Sequence, residues 1–431
     1  NFIISDGRLT VTPGNAKYVP EQVSGGVKTL MVLYKNNKTG TVTKELMASS
    51  STDIYKYDEV GSTWVSIKSG LRGGFYSFIN YQQGMDDIII MSNGIDPMYK
   101  YDGTTLTELG GVPPRCASIS LHYERVWATV DLSFPNRVHY SAPLDPENWK
   151  VAKDDGGFLE IPTWDGGVCI GLSTIFDNVV IFKTYNIWKI NGMYPAEYQK
   201  LQVYSSTGAI APKSIQDAGT VCLFLARDGI YVYDGMQTQL ISQPIKDIIK
   251  NMNLSYADKA VGIFYDNKYT LAIPEGNSTE NNCVIEYDLD TKQFIIKRGF
   301  NVTTFLVYKD KLLFSNNDGY VLEYNKGDTF DGKPIEAFWD TPYSNIGMPN
   351  VTKRSSEIYL TLEKLYGDEM KVDGIFDKRS KSAVVKLPSI KTDKKVRLRC
   401  TGRHFKLRFS NVNGSRFTLA MPQLYYDADR D

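Results

Sequence analysis

Val221-Cys-Leu-Phe-Leu-Ala-Arg-Asp-Gly-Ile-Tyr-Val-Tyr-Asp-Gly235 is the stretch that decides the fold. Its first five residues are apolar on both faces, as in a strand sandwiched between neighbours. A turn at Gly229 follows, then a Tyr-x-Tyr alternation that suits a strand with one wetter face. Asp234-Gly235 closes the unit and supplies the positive φ that a tight turn needs.

The same order returns along the chain as Asp53-Ile-Tyr-Lys-Tyr-Asp58, Met98-Tyr-Lys-Tyr-Asp-Gly103, Ile187-Trp-Lys-Ile-Asn-Gly192, Val284-Ile-Glu-Tyr-Asp288 and Gly319-Tyr-Val-Leu-Glu-Tyr-Asn325. Arg137-Val-His-Tyr-Ser141 fills the equivalent place between the second and third of these. Anchored on Tyr57, Tyr101, Tyr140, Ile190, Tyr233, Tyr287 and Tyr324, the seven units recur every 40 to 50 residues or roughly so, the size of a four-stranded propeller blade. The fold class predicted is therefore all-β, a β-propeller of seven four-stranded blades over residues 27–347. In the fifth blade the strands are expected at 214–220, 221–228, 229–234 and 238–242; in the seventh, at 303–308, 311–315, 319–324 and 335–339. Residues 1–26 read as an arm or as a strand that closes the ring. Residues 348–431 change character and predict a small, basic C-terminal β-sandwich with strands at 357–364, 370–377, 395–400, 404–410 and 416–426. One segment breaks the β pattern: Ser242, Pro244 and the spacing of Ile245, Ile248, Ile249 and Met252 predict a short helix after the fifth blade.

Composition bounds the function. Of 431 residues, 42% are hydrophobic and 23% charged, enough for a packed core and unlike a disordered chain. No apolar run approaches the roughly 18 residues of a membrane span, and residues 1–7 lack the order of a secretory signal. Five scattered cysteines without a C-x-x-C pair predict reduced, buried thiols. The net charge is zero, which argues against a dedicated DNA-binding protein. From Asn350 onward, however, 18 Lys and Arg stand against 10 Asp and Glu, a balance of +8 that leaves −8 for the rest.

Catalytic signals are missing. The three histidines, His122, His139 and His404, are widely separated and have no metal-ligand spacing; His139, between Val138 and Tyr140, reads as a packing residue. No nucleophile elbow, phosphate loop or dinucleotide fingerprint occurs. Tyr57-Asp-Glu-Val-Gly-Ser-Thr-Trp64 resembles the Asp-box of sialidases, but it is one residue too long and occurs once. The expectation is a non-enzyme with no catalytic residues, cofactor or metal; the alternative is a carbohydrate-binding or glycan-hydrolysing propeller for host attachment. The sharpest constellation is basic. Alternation puts Lys395, Arg397 and Arg399 on one side of a strand, and Lys406 and Arg408 on one side of the next, with Arg403 between them. Paired as a hairpin, the two strands predict a flat cationic surface for assembly or for phosphate.

Three stretches carry a family resemblance: Ile4-Ser-Asp-Gly-Arg-Leu-Thr-Val-Thr-Pro-Gly14; Arg125-Val-Trp-Ala128 with Pro135-Asn-Arg-Val-His-Tyr-Ser141 and Asp145-Pro-Glu-Asn-Trp149; and Val396-Arg-Leu-Arg-Cys-Thr-Gly-Arg-His-Phe-Lys-Leu-Arg-Phe409. They resemble the propeller-bearing tail nozzle and tail-adaptor (DNA-stabilisation) proteins of short-tailed bacteriophages. The resemblance implies a virion structural protein, made in the bacterial host cytoplasm. It further implies a homo-oligomeric ring, commonly a hexamer, around the DNA exit channel. Its neighbours would be portal, adaptor or other tail proteins, and double-stranded DNA would pass only transiently during ejection.

Overall fold

The computed structural model describes residues 1–431 other than 6, 37–39, 153–154, 163, 165, 204, 206, 367–368, 378, 388–391 and 430–431. Two compact units make up the chain: residues 17–294 with 300–323, and residues 1–16 with 295–299 and 324–431.

The larger unit is a seven-bladed β-propeller. Six antiparallel four-stranded sheets follow in chain order over 29–69, 77–108, 116–160, 169–202, 216–240 and 261–298, with all but Phe294 of the last strand, Phe294–Arg298, counted in the smaller unit. The seventh takes Thr304–Tyr308, Lys311–Ser315 and Val321–Glu323, and its outer strand, Ala16–Lys17, comes from the beginning of the chain. The amides of Tyr18 and Val19 both donate to the Val321 carbonyl, at 2.9 and 3.2 Å. Residues expected as the last strand of this blade, 335–339, lie elsewhere: Phe338–Asp340 pairs with Phe405–Asn411. The physical reason is apolar filling. Val19, Val23 and Val27 are fully buried beside Leu30, Leu306, Leu313 and Val321, between the seventh blade and the first. The units accordingly divide at 16/17 and 323/324 rather than at 26/27 and 347/348.

Second strands such as Cys222–Leu225 are buried along their whole length, as a strand between two sheets requires. Six of the seven repeat anchors, all but Tyr57, are buried. The Asp of the repeat has a further role. The Asp102 carboxylate accepts from the amides of Thr104 and Thr105, at 2.7 and 2.8 Å. Asp234 accepts from Met236 and Gln237, both at 2.8 Å, and Asp288 from Asp290 and Thr291. Each carboxylate thus ties the turn into the outer strand, with Gly103 and Gly235 following at positive φ. The Gln237 and Met236 amides hold the Asp234 carboxyl below the usual range.

The predicted helix is a 3-10 turn, Gln243–Ile245, running into Lys246–Lys250. Ser242 does not cap it; its hydroxyl accepts from the Ile230 amide at 3.0 Å. All five cysteines are buried, and none forms a disulfide. Among the described residues no helix is long and apolar enough to cross a membrane.

At one end of the propeller axis a lysine reaches across the opening. Lys213 lies in the short turn Pro212–Ser214 that leads into the fifth blade. Its Nζ is 3.2 Å from Thr29 Oγ1, at the start of the first blade, and 4.1 Å from the centre of the Phe75 ring. First and fifth blades are not neighbours, so the side chain spans the central opening. Burial, with Lys28 adding repulsion, lowers the Lys213 pKa to about 7.

The second unit is a β-sandwich. One sheet runs in the order Phe2–Ser5, Arg8–Val11, Arg416–Asp429, Thr352–Tyr366, Thr392–Gly402; the other runs Phe338–Asp340, Phe405–Asn411, Glu369–Phe376, Arg379–Lys386. Its core holds Val372, Phe376, Leu398, Phe405, Leu407 and Phe409. Gly374 lets the sheets close: a Cβ there would lie 2.8 Å from Leu398 Cδ2.

Candidate assembly surface

The six basic residues do not form one surface. Lys395, Arg397 and Arg399 sit on Thr392–Gly402, the edge strand of the five-stranded sheet, whereas Lys406 and Arg408 sit on Phe405–Asn411, inside the other sheet. The expected cationic hairpin is therefore corrected: the chain changes sheets between the two strands. Like charges opposed across a hairpin repel. Crossing over lets Leu398 and Cys400 on one strand, and Phe405, Leu407 and Phe409 on the other, bury in a common core. The alternation itself holds in both strands, so the cations point away from each other on opposite outer faces.

The two faces differ in how far their charge is satisfied. On the four-stranded sheet, Asp340 takes a bidentate contact from Arg408, at 2.6 and 2.8 Å, and a third from Lys406 at 2.9 Å. Those hydrogen bonds, from Arg408 first, hold the Asp340 carboxyl below its ordinary pKa. Beside them opens a cleft of about 410 Å³, lined by Phe338, Lys371, Asp373, Arg408, Ser410 and Asn411. Of its charges, Lys371 lies 3.0 Å from Asp373, and Glu336, also on its wall, is exposed. The cations Lys371, Lys406 and Arg408 of this face are each paired with a carboxylate.

The five-stranded sheet carries the open charge. Lys395 is paired with Glu357 at 2.6 Å, but Arg397 and Arg399 are exposed and have no carboxylate partner among the described residues. Register sets Arg397 opposite Glu357 and Glu357 opposite Tyr425, with Lys395 opposite Tyr359 in the adjacent row. The Tyr359 and Tyr425 rings lie 4.9 Å apart, and Tyr425 is half exposed. Arginine and tyrosine on one rigid sheet are residue types that anchor protein interfaces. The tyrosines lie on the two neighbouring strands, with Lys395 over the Tyr359 ring and Glu357 between Arg397 and Tyr425. Arg403 lies at the crossing between sheets, its side chain exposed and its amide held by the Asp377 carboxylate at 2.9 Å.

At the propeller opening Lys28, Lys213 and Phe75 meet, and no carboxylate is paired with Lys213 among the described residues. The Asp-box-like stretch forms the hairpin turn between Asp53–Asp58 and Thr63–Ser69, where the Asp58 carboxylate accepts from the Val60 amide at 3.1 Å. The resemblance-bearing residues of the third blade likewise serve structure. Buried Arg125 donates to the Ser141 and Asp155 carbonyls at 2.8 and 2.7 Å, and Trp149 Nε1 donates to the Pro146 carbonyl at 2.7 Å.

No family model and no curated protein matches the chain. Among solved structures it is similar to the computationally designed Ika8 protein (12% identity, TM-score 0.42, 72% of this chain and 98% of that one). It is also similar to the extracellular domain of the putative one component system BT4673 from B. thetaiotaomicron (9% identity, TM-score 0.49, 95% of this chain and 62% of that one). A third likeness is to the WD40 domain of Neurospora crassa Pan2 (10% identity, TM-score 0.43, 77% of this chain and all of that one). Similarity this low carries no function across.

Proposed function

We propose that this chain is a non-catalytic structural subunit of a bacteriophage tail, assembling with copies of itself into a nozzle or adaptor ring around the DNA exit channel. The observation that carries the assembly reading is the pair Arg397 and Arg399: exposed and unpaired, on the sheet that also carries Tyr359 and Tyr425, in a chain whose remaining residues up to 349 hold −8. An acidic propeller face of a neighbouring subunit is the complement such a surface calls for. The three stretches of family resemblance supply the tail context and, with it, portal or adaptor proteins as further neighbours. In this reading DNA travels along the axis of the ring, between subunits. The propeller's own opening is spanned by Lys213, whose reach is far less than the width of a duplex. Exposed ion pairs are individually weak, about 0–1 kcal/mol, so the arginines set register while apolar and backbone contacts hold the ring.

The test is charge reversal. Arg397→Glu with Arg399→Glu is expected to reduce the ring fraction seen by mass photometry and its incorporation into particles, and the defect should deepen as salt is lowered. Unchanged assembly at every ionic strength overturns the interface. A particle map that places this chain outside the tail overturns the tail context separately.

A further inference from the structure

We propose that Cys116, Asp131 and His139 of the third blade form a zinc site. One donor atom from each, a thiol sulfur, a carboxylate oxygen and an imidazole nitrogen, lies within 4.8 Å of the other two. The three come from consecutive strands of a single sheet, Cys116–His122, Arg125–Asp131 and Arg137–Tyr140. Cys116 stands directly opposite Asp131 in the ladder. Cys116 is fully buried and Asp131 nearly so.

Three further features point to a cation. First, His139 Nε2 is buried and makes no hydrogen bond. Asp131 Oδ2 is 3.3 Å away, an ion-pair contact. An imidazole nitrogen and a carboxylate oxygen, each about 2.0–2.1 Å from one zinc ion at a tetrahedral angle, would be about 3.3 Å apart. The observed separation lets both atoms reach one metal without rearrangement. Second, the other Asp131 oxygen is already committed, accepting from the Ser133 amide at 2.8 Å. That fixes the carboxylate as a second partner fixes a ligand. Third, Val130 has φ +66°, a left-handed conformation that a β-branched residue adopts only under constraint. It immediately precedes Asp131 and so sets the direction of that side chain.

The donor set suits zinc better than its competitors. A thiolate with an imidazole excludes magnesium and calcium, which take oxygen. Burial pushes the Cys116 thiol pKa up, with Asp131 and the nearby Cys169 contributing, so the thiol carries its proton when no metal is bound. Binding zinc forms the metal–sulfur bond and releases that proton to solvent. The three donors leave a fourth tetrahedral position, which a water fills; the Cys169 thiol, on the first strand of the fourth blade, stands outside the donor cluster. The site is buried, so its role is structural, and it loads as the blade folds.

The full chain, produced in zinc-supplemented medium and dialysed, should retain about one zinc per chain by elemental analysis. Its X-ray absorption fine structure should show sulfur at about 2.3 Å. Produced with cobalt instead, it should show thiolate-to-cobalt charge transfer and tetrahedral d–d bands. Cys116→Ser and His139→Gln should each lose those bands, and Cys222→Ser, which removes a buried thiol in the fifth blade, should keep them. Wild-type protein without bound zinc, a zinc shell without sulfur, or full charge transfer in Cys116→Ser overturns the site. The X-ray absorption measurement on the wild-type protein decides even if the variants fail to fold.

Discussion

Lys213→Met tests the cation that spans the propeller opening. The side chain has Thr29 Oγ1 at 3.2 Å and the Phe75 ring at 4.1 Å, but among the described residues Lys28 is its only charged neighbour of consequence. Its pKa falls to about 7, against roughly 10.4 for an unfolded lysine. The folded state therefore binds this proton less readily than the unfolded state, and stability rises with pH between the two values. The penalty is complete below pH 7 and disappears above the unfolded pKa. A shift of three to four units caps it at roughly 4–5 kcal/mol. Half-burial screens the charge, so about 2–3 kcal/mol is expected at pH 6. Methionine keeps the length and removes the charge, at the loss of one hydrogen bond and one ring contact, about 1 kcal/mol. Urea unfolding followed by tryptophan fluorescence should find the variant more stable than wild type at pH 6. The gap should shrink by pH 8, and its sign should reverse slightly near pH 10. A difference that stays constant from pH 6 to pH 10 would refute the reasoning, because it would mean that Lys213 titrates alike in both states.

Gly374→Ala should destabilise the sandwich by about 1–3 kcal/mol, since the new Cβ meets Leu398 Cδ2 at 2.8 Å and Phe376 Cε2 at 3.0 Å. Leu398→Ala in the same chain should cost less in the Gly374→Ala background than alone, a coupling that a double-mutant cycle reads directly. Asp340→Asn should cost about 1–2 kcal/mol at pH 7 by loosening the Arg408 and Lys406 contacts. The folded carboxyl pKa is lowered, so its stabilisation is complete above the ordinary carboxylate range and is lost as pH falls through the folded value. Wild type and variant should converge once pH falls below the lowered folded pKa of this carboxyl.

The blades were legible because burial on both faces leaves continuous apolar runs such as Val221–Leu225, and because each turn repeats an Asx side chain. The seventh blade's outer strand was not. Residues 16–19 carry no alternation long enough to announce a strand, and their partner is some three hundred residues away. Arg379–Lys386 was also missed, for only Val385 in it is buried and its polar run reads as a loop. In the basic strands alternation correctly gave each side chain its side. Which sheet each strand joins depends on pairing partners, and Glu357 or Asp340 cannot be matched to a cation until the register is known. The Cys116–Asp131–His139 cluster lay hidden for the same reason: its spacing follows the hairpins of one blade rather than a local motif.

The borrowed outer strand of the seventh blade imposes an order on synthesis. Tyr18 and Val19 leave the ribosome first, yet the Val321 carbonyl to which both donate emerges roughly three hundred residues later. At about 5–20 residues per second that is a wait of roughly 15 to 60 seconds. Throughout it, Val19, Val23 and Val27 have only part of their final apolar surroundings. Six blades can stack during that interval, but the circle stays open, with an unpaired strand edge exposed. Aggregation of nascent chains is therefore expected to concentrate at the two ends of the incomplete ring, and a chaperone that covers residues 17–27 would guard the more persistent of them.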